Sequence, residues 1–336
     1  MPIGTILTSA LVIQSKSPSI DEWLATDEYA PHAEVRVHFM DKTDTTVVVD
    51  LLHYDKHYNL ALFKISTNLS AQIQMPSFTN EQFAEEVFVL GRDEDRNLTI
   101  DHGNVVCKGP SIFKRHHYMF ISCDTNRLGI GGPVINLGGQ VAGMVSLPEK
   151  AFIPSSIILK CLQMWKSFNY IPRLHVGMKF SAIGLLDLPQ REKVSCKCDV
   201  DDGLIVKQVS EGSVAEKLGV RCGDIIKSCN GENIYTTIEL ENFLLDMCKK
   251  HLDGGNSIGS SVDLSIGIFH VRNGSHGTIK MTVNVSDDVE VITKGICPVT
   301  AADCTVADDD DDDFVVIQGE SHHEIADDED GDIDFF

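Results

Sequence analysis

The sequence is poor in positive charge. Its 336 residues include 28 Lys and Arg against 50 Asp and Glu, and the net charge is −22. The imbalance is concentrated at the end, because positions 287–336 hold 18 acidic residues and one Lys, which leaves 27 basic and 32 acidic residues before them. A body this close to neutrality has no basic surface for phosphate backbones or anionic lipids. We therefore expect no nucleic acid and no membrane among its partners.

Long apolar runs are also missing. No stretch approaches the length of about 20 residues that a membrane-spanning helix needs. The apolar start at 1–13 has neither the positive charges nor the cleavage site of a secretory signal. The sequence therefore predicts a cytoplasmic or nuclear location.

The ten cysteines lack a paired framework, which is typical of reduced thiols in an intracellular protein. The alternative is a zinc site built from Cys196 and Cys198 with Cys222 and Cys229, but this spacing fits no standard ligand pattern. The pair His322-His323 in the acidic end is expected to be exposed rather than metal-binding. We expect no metal and no cofactor.

Short strands are the main pattern of the first half. Apolar residues alternate with polar ones at 35–39, and β-branched runs separated by Gly, Asn, Asp and Pro follow at 45–52, 60–65, 87–90, 104–107, 118–122, 133–137 and 140–147. Many short strands of this kind predict a barrel or a sandwich. The first long helical pattern, 154–168, has Ser155 as its predicted N-cap.

The second half mixes strands with helices. Strand patterns at 203–209, 224–229, 262–271 and 278–285 flank two helical patterns, and Thr236 with Glu239 forms a predicted capping box before the second helix. Past position 287 the chain is acidic, with six consecutive Asp, and we expect it to be disordered. The predicted domains are 1–172, 173–286 and 287–336.

Three segments of the first domain resemble the catalytic motifs of the HtrA/Do-like serine proteases, in family order. They are LTSALVI at 7–13, DKHYNLALFKI at 55–65 and LGIGGPVINLGGQVAGMVS at 128–146, and AFIPSS at 151–156 resembles the junction that ends the family's protease domain. The resemblance implies a mostly β fold with a trypsin-like double β-barrel. Only six residues precede LTSALVI, so we expect the first barrel to be truncated. In the family the missing residues also help to build trimers, so the resemblance does not carry the trimer over to this chain.

The same resemblance places the catalytic positions at Leu11 for the general base, Asn59 for the orienting Asp and Ile130 for the nucleophile. Peptide hydrolysis needs an imidazole and an oxygen nucleophile, and neither Leu11 nor Ile130 supplies one. The turn Gly131-Gly132-Pro133 is retained. We therefore expect a pseudoprotease, with rescue by His57 together with Ser9 or Ser122 as an open alternative.

The run GLIVKQVSEGSVAEKLGVRCGDIIKSCNGENI at 203–234 is similar to the PDZ signature of the same family. A PDZ domain binds an extended C-terminal peptide as an added strand, using loop N–H groups for the carboxylate. The resemblance implies a carboxylate-binding loop at Val176, Gly177 and Met178. It also implies a groove lined by Leu240, Phe243 or Leu244, although core packing explains such residues equally well.

Two apolar features interrupt the acidic tail. The segment Phe314-Val315-Val316-Ile317 follows the Asp run and resembles motifs that add a strand to ubiquitin-like modifiers, and the free end at Phe336 fits an apolar PDZ ligand. The sequence as a whole predicts a non-catalytic adaptor or regulator, which binds peptides through its PDZ domain or modulates active HtrA relatives. The competing hypothesis is a working serine endopeptidase.

Overall fold

The computed structural model describes residues 4–15, 28–39, 46–65, 75–80, 82–93, 95–106, 116–123, 129–147 and 150–292. The chain divides into two units, 1–306 and 307–336, and all of the described residues lie in the first. Strands are far more numerous than helices in this part of the chain, which confirms the predicted mostly β class.

The chain begins with an antiparallel four-stranded sheet. Its strands are β1 (Thr5–Ser9), β2 (Val35–His38), β3 (Thr46–Asp55) and β4 (Leu60–Ile65), in the order β1-β4-β3-β2. Strand β4 lies inside the sheet and is buried at every position except Lys64. Within the described residues this sheet does not close on itself, and the truncation of the first barrel stays a prediction.

Six further strands form a closed barrel in the order β10-β7-β6-β5-β8-β9. They are β5 (Glu86–Arg92), β6 (Leu98–Val106), β7 (Met119–Ile121), β8 (Pro133–Asn136), β9 (Val141–Leu147) and β10 (Ala151–Pro154). Closure pairs every strand on both sides and leaves no free edge. The barrel fixes the turn that carries Ile130, because this turn leads directly into β8.

Helix α1 (Ser155–Phe168) follows the barrel where the sequence predicts it. The predicted N-cap is wrong, since the cap is Pro154 and the Ser155 hydroxyl donates to the carbonyl oxygen of Thr79 instead of accepting from a helix N–H. The helix ends at Asn169, whose left-handed backbone returns an N–H to the Trp165 carbonyl.

The last seven strands form a separate sheet in the order β11-β17-β16-β14-β13-β12, with β15 beside β14. They are β11 (Arg173–Leu174), β12 (Met178–Ala182), β13 (Leu204–Val209), β14 (Ile225–Cys229), β15 (Glu232–Asn233), β16 (Ser261–His270) and β17 (Ser275–Ser286). Strand β12 lies at the edge of this sheet.

Three helices accompany this sheet: α2 (Leu188–Cys198), α3 (Val214–Lys217) and α4 (Thr237–Asp253). The predicted capping box is confirmed, because the Thr236 side chain accepts from the Glu239 N–H while the Glu239 carboxylate accepts from the Thr236 N–H. The four-stranded sheet and the closed barrel form the trypsin-like part of the fold. The seven-stranded sheet and these helices form the PDZ domain that follows it.

Helices α1 and α4 join the two halves. Asn242 Nδ2 donates to Ser156 Oγ at 3.0 Å, and Lys160 pairs with Asp246 at 2.5 Å. Buried apolar residues of the barrel and of the last sheet belong to one continuous core. The domain boundaries at 172 and 286 stay predictions.

Candidate functional site

The three positions at which the family resemblance places the catalytic residues lie on three turns. Leu11 is half-buried in a 3-10 turn after β1, Asn59 is buried between β3 and β4, and Ile130 is half-buried in the turn before β8. The Ala10 N–H donates to the Asn59 carbonyl oxygen at 3.2 Å. The first two turns are therefore held directly together.

The third turn closes against the end of β1. A Cβ placed on Gly131 would lie 2.0 Å from Thr8 Oγ1, and one placed on Gly132 would lie 2.3 Å from the Leu90 carbonyl oxygen. Gly131 also has a φ of 82°, which favours glycine. The close approach of three chain segments therefore explains the two glycines, and Pro133 opens β8 directly after them.

Asn59 is hydrogen-bonded through both ends of its amide. Its Nδ2 donates to the carbonyl oxygen and to the hydroxyl of Ser146, each at 2.9 Å, and its Oδ1 accepts from Ser9 Oγ at 3.1 Å. A carboxylate has no N–H to donate to Ser146. The amide holds the site together as a structural network.

The open alternative, a rescued nucleophile, requires a hydroxyl bonded to an imidazole. Ser9 Oγ donates to Asn59 and accepts from the Leu11 N–H at 3.2 Å, while Ser122 Oγ accepts from the Asn104 N–H at 2.9 Å. Within the described residues neither hydroxyl is hydrogen-bonded to a histidine. His57 instead packs its ring on Tyr58 and His117.

The predicted carboxylate-binding loop lies just before the edge strand β12. Val176 and Met178 are buried, whereas Gly177 has a φ of 71° and presents its N–H to a carboxylate. This carboxylate belongs to Glu290, whose Oε1 accepts from the Gly177 N–H at 2.5 Å. Part of the chain after β17 therefore lies on the loop.

The predicted groove residues of α4 are covered to different extents. Leu240 and Leu244 are buried, and Phe243 is half-buried. The ring of His116, from the segment before β7, meets the Phe180 ring of β12 edge-on at a centroid distance of 5.4 Å. Strand β12 therefore contacts the first half of the chain through this pair of rings.

A buried polar cluster lies where the first half meets α4. Arg173 is ion-paired with Asp55 and stacks over the Tyr58 ring at 5.2 Å, and the Tyr58 hydroxyl donates to Glu241 Oε1. His116 Nε2 lies 3.6 Å from Glu241 Oε2. Burial raises the pKa of Glu241, but the contact with His116 and the charges of the two histidines outweigh it and lower this pKa to about 2.

Sequence patterns did not indicate this cluster, because Tyr58 and Glu241 are 183 positions apart. The available signal is a charged residue on the apolar face of α4, since Glu241 lies between Leu240 and Leu244 in a helix that buries all three. Burial of a carboxylate requires compensating partners. An unexplained acidic residue on such a face is a reason to look for these partners.

The cysteines do not form the alternative zinc site. Cys196 is exposed on α2, Cys229 is buried in β14, and Cys222 is disulfide-bonded, which also corrects the prediction that all thiols are reduced. Within the described residues, the one group of three side chains close enough to hold a metal ion is His57, His117 and Glu241.

The tail residues Phe314, Ile317 and Phe336 lie outside the described residues. So does the pair His322-His323, and the roles suggested for these residues remain predictions. No helix in the described part of the chain is both long and apolar enough to span a membrane.

Comparison with known proteins defines the class of this fold. Residues 2–144 match the family described as trypsin-like peptidase domain, and residues 205–245 match the PDZ domain family. The solved structure described as "HtrA-type protease AlgWS227A with tripeptide" superposes with a TM-score of 0.52 at 16% identity, covering 86% of this chain and 87% of that one. This likeness supports the fold alone.

Curated relatives point to one family. A "Probable periplasmic serine endoprotease DegP-like" of Pseudomonas fulva (strain 12-X) is 26% identical over 83% of this chain and 57% of its own length. A protein of the same description from Hahella chejuensis (strain KCTC 2396) is 26% identical over 79% of this chain and 55% of its own. The two domain matches and these relatives together support an HtrA/DegP-like family, and the chain spans about half the length of these relatives.

The names of these relatives correct one prediction. Both relatives are described as periplasmic, which contradicts the cytoplasmic or nuclear location inferred from the sequence. That inference depended on the absence of a recognisable leader and on the cysteine pattern, and neither feature reports directly on the compartment.

Proposed function

We propose that this chain is a catalytically inactive HtrA-like protein that acts as a peptide-binding adaptor or regulator through its PDZ domain. The contact that carries this proposal is the hydrogen bond from the Gly177 N–H to the Glu290 carboxylate. The loop to which the family resemblance assigns a carboxylate-binding role does hold a carboxylate. Because β12 is the edge strand of its sheet, a peptide can add beside it.

Inactivity is supported by the side chains at the catalytic positions. Leu11 cannot accept a proton, and Ile130 has no nucleophilic atom. Loss of base or nucleophile alone costs about 10⁶-fold in related chemistry. Asn59 adds no orienting charge, since its amide is committed to Ser9 and Ser146.

A serine endopeptidase is the second candidate, because the curated relatives are named serine endoproteases and the turn at Gly131-Gly132-Pro133 is retained. The AlgW structure is described as holding a tripeptide, which supports peptide binding in either case. Active HtrA relatives and ubiquitin-like modifiers remain candidate partners of the whole chain.

The test is titration of the full chain with peptides that end in an apolar residue, each with a free or an amidated C-terminus. Gly177→Ala introduces a Cβ 2.6 Å from the Ser213 Cβ at a φ of 71°. Gly212→Ala is the matched control, because its φ is 72° and no atom lies within 4 Å of the new Cβ.

We expect free-acid peptides to bind to wild type and to Gly212→Ala, with at least about tenfold weaker binding to Gly177→Ala, since the two variants share the backbone strain and differ in the clash. Amidation should abolish binding, because the loop then has no carboxylate to bind. Equal affinity of the amidated and free peptides, or of the two variants, contradicts the adaptor proposal.

A further inference from the structure

Three side chains from distant parts of the chain converge beneath α4. His57 comes from the turn between β3 and β4, His117 from the residues before β7, and Glu241 from α4 itself. One ligand atom from each lies within 4.8 Å of the other two. The exposed fractions are 7% for His57, 1% for His117 and 6% for Glu241, so the three are shielded from solvent.

We propose that His57, His117 and Glu241 bind one divalent transition-metal ion, for which Zn²⁺ is the best match. Two imidazole nitrogens and one carboxylate oxygen are a ligand set that zinc uses, with a water in the fourth position. Harder ions such as Mg²⁺ and Ca²⁺ prefer all-oxygen sites, and softer ions prefer sulfur. None of the three is a position that the family resemblance assigns to catalysis or to the loop at 175–178.

The geometry fits after a small adjustment. Zinc bonds of about 2.0–2.2 Å place neighbouring ligand atoms about 3.4 Å apart, so atoms within 4.8 Å of one another must close by up to about 1.4 Å. The rings of His57 and His117 are stacked with their centroids 5.2 Å apart. Metal binding requires rotation of the two imidazoles about their side-chain bonds, so that the nitrogens face a common point.

The surroundings hold the carboxylate in place. The Tyr58 hydroxyl donates to Glu241 Oε1, and His116 Nε2 lies 3.6 Å from Oε2. Groups that hydrogen-bond to a ligand orient it, and their loss weakens metal binding about 10- to 100-fold. Tyr58 is thus a positioning residue for the proposed site.

The charges of the cluster are compatible with a cation. A buried carboxylate needs a compensating charge, which the neighbouring histidines supply in the metal-free protein, since the guanidinium of Arg173 is ion-paired with Asp55. An ion bound by neutral imidazoles and by Glu241 would supply that charge in their place. It would also link α4 to the turn after β3 and to the segment before β7, so that the bound ion connects the two halves of the chain.

The experiment uses the full chain after removal of metal by a chelator and dialysis. Zn²⁺ binding is measured by calorimetry, Co²⁺ binding by its visible absorption spectrum, and the melting temperature is recorded with and without Zn²⁺. The variants are Glu241→Gln and His117→Gln, which remove a ligand, and Tyr58→Phe, which keeps all three. His276→Gln replaces an exposed histidine and is the control.

We expect one tight ion in wild type and in His276→Gln, a tetrahedral Co²⁺ spectrum and a higher melting temperature with Zn²⁺. Glu241→Gln and His117→Gln should lose tight binding, and Tyr58→Phe should bind about 10- to 100-fold more weakly. Tyr58→Phe retains the ring that packs in the core. Its Zn²⁺ affinity therefore tests the proposal even if a ligand variant fails to fold. Equal Zn²⁺ affinity in wild type and Tyr58→Phe, or no tight ion in wild type, overturns the proposal.

Discussion

Asn59 Nδ2 donates two hydrogen bonds to Ser146, one to the carbonyl oxygen and one to the hydroxyl, each at 2.9 Å. This residue occupies the position at which the family resemblance places the orienting Asp. The amide bridges the turn after β3 to β9, and its oxygen completes the link to Ser9. The site has thus become part of the packing that joins the first sheet to the barrel.

Restoring a carboxylate at this position should destabilise the protein. In Asn59→Asp a carboxylate oxygen replaces Nδ2 and faces the Ser146 carbonyl oxygen at hydrogen-bond distance. The variant loses both hydrogen bonds that the amide donates, and it gains a buried charge. We expect a loss of about 2 kcal/mol or more in the free energy of unfolding, measured by urea denaturation at pH 7. Asn273→Asp, at an exposed position, should change it by less than about 0.5 kcal/mol. An unchanged stability of Asn59→Asp would show that the amide network contributes nothing.

The buried ion pair of Arg173 with Asp55 should be sensitive to loss of one partner. Both side chains are nearly inaccessible, with exposed fractions of 4% and 5%. Arg173→Met leaves an uncompensated buried carboxylate, and we expect a cost of about 3–5 kcal/mol in the free energy of unfolding. Adding Asp55→Asn should recover part of this loss.

The matched control for the ion pair is Arg36→Met, which breaks an exposed pair with Glu34 at 2.5 Å. Exposed pairs contribute about 1 kcal/mol or less. If Arg173→Met and Arg36→Met have similar effects, or if the double variant is the least stable of all, then Asp55 does not depend on Arg173.

Glu290 should compete with peptides for the loop at 175–178. Its carboxylate accepts from the Gly177 N–H in the free protein, so a peptide carboxylate must displace it. Glu290→Gln removes the charge, and we expect about threefold to tenfold tighter binding of free-acid peptides in a titration. Glu232→Gln, an exposed carboxylate on β15, should leave affinity unchanged. Weaker or equal binding by Glu290→Gln would mean that Glu290 does not occupy the peptide site.

Cysteine reactivity should separate exposed from buried thiols. Burial raises the pKa of both Cys229 and Cys248 to about 12, so at pH 8 about one molecule in 10⁴ carries either thiolate. We expect iodoacetamide to modify Cys196, exposed on α2, long before these two, with peptide mapping by mass spectrometry as the readout. Cys196→Ser should remove the fast phase. Equally fast modification of Cys229 in the folded protein would contradict its burial.

Local patterns predicted the parts of the fold that depend on neighbouring residues. The capping box at Thr236 and Glu239 follows from backbone requirements that a few residues reveal. Ser155 shows the limit of this reasoning. A serine at a helix start usually caps it, but here the hydroxyl finds a carbonyl of a distant segment, Thr79, which no local pattern encodes.

The functional sites show the same division. Motif resemblance identified Leu11, Asn59 and Ile130, but it did not predict that Asn59 bonds to Ser146 or that Glu290 reaches Gly177, because both contacts join segments far apart in sequence. The cluster under α4 is the extreme case, since its members become neighbours only when the barrel and α4 pack together. Their alignment depends on the tertiary structure.

The absence of catalysis at positions 11, 59 and 130 is the central claim, and a paired activity assay tests it most directly. The purified full chain is incubated with unfolded casein and, in parallel, with a fluorophosphonate probe that labels activated serines, beside an active serine protease as the positive control. We predict no casein cleavage and no labelling above a heat-denatured sample, because neither Leu11 nor Ile130 can take part in acyl transfer. Specific labelling of the folded chain together with casein cleavage would contradict this account.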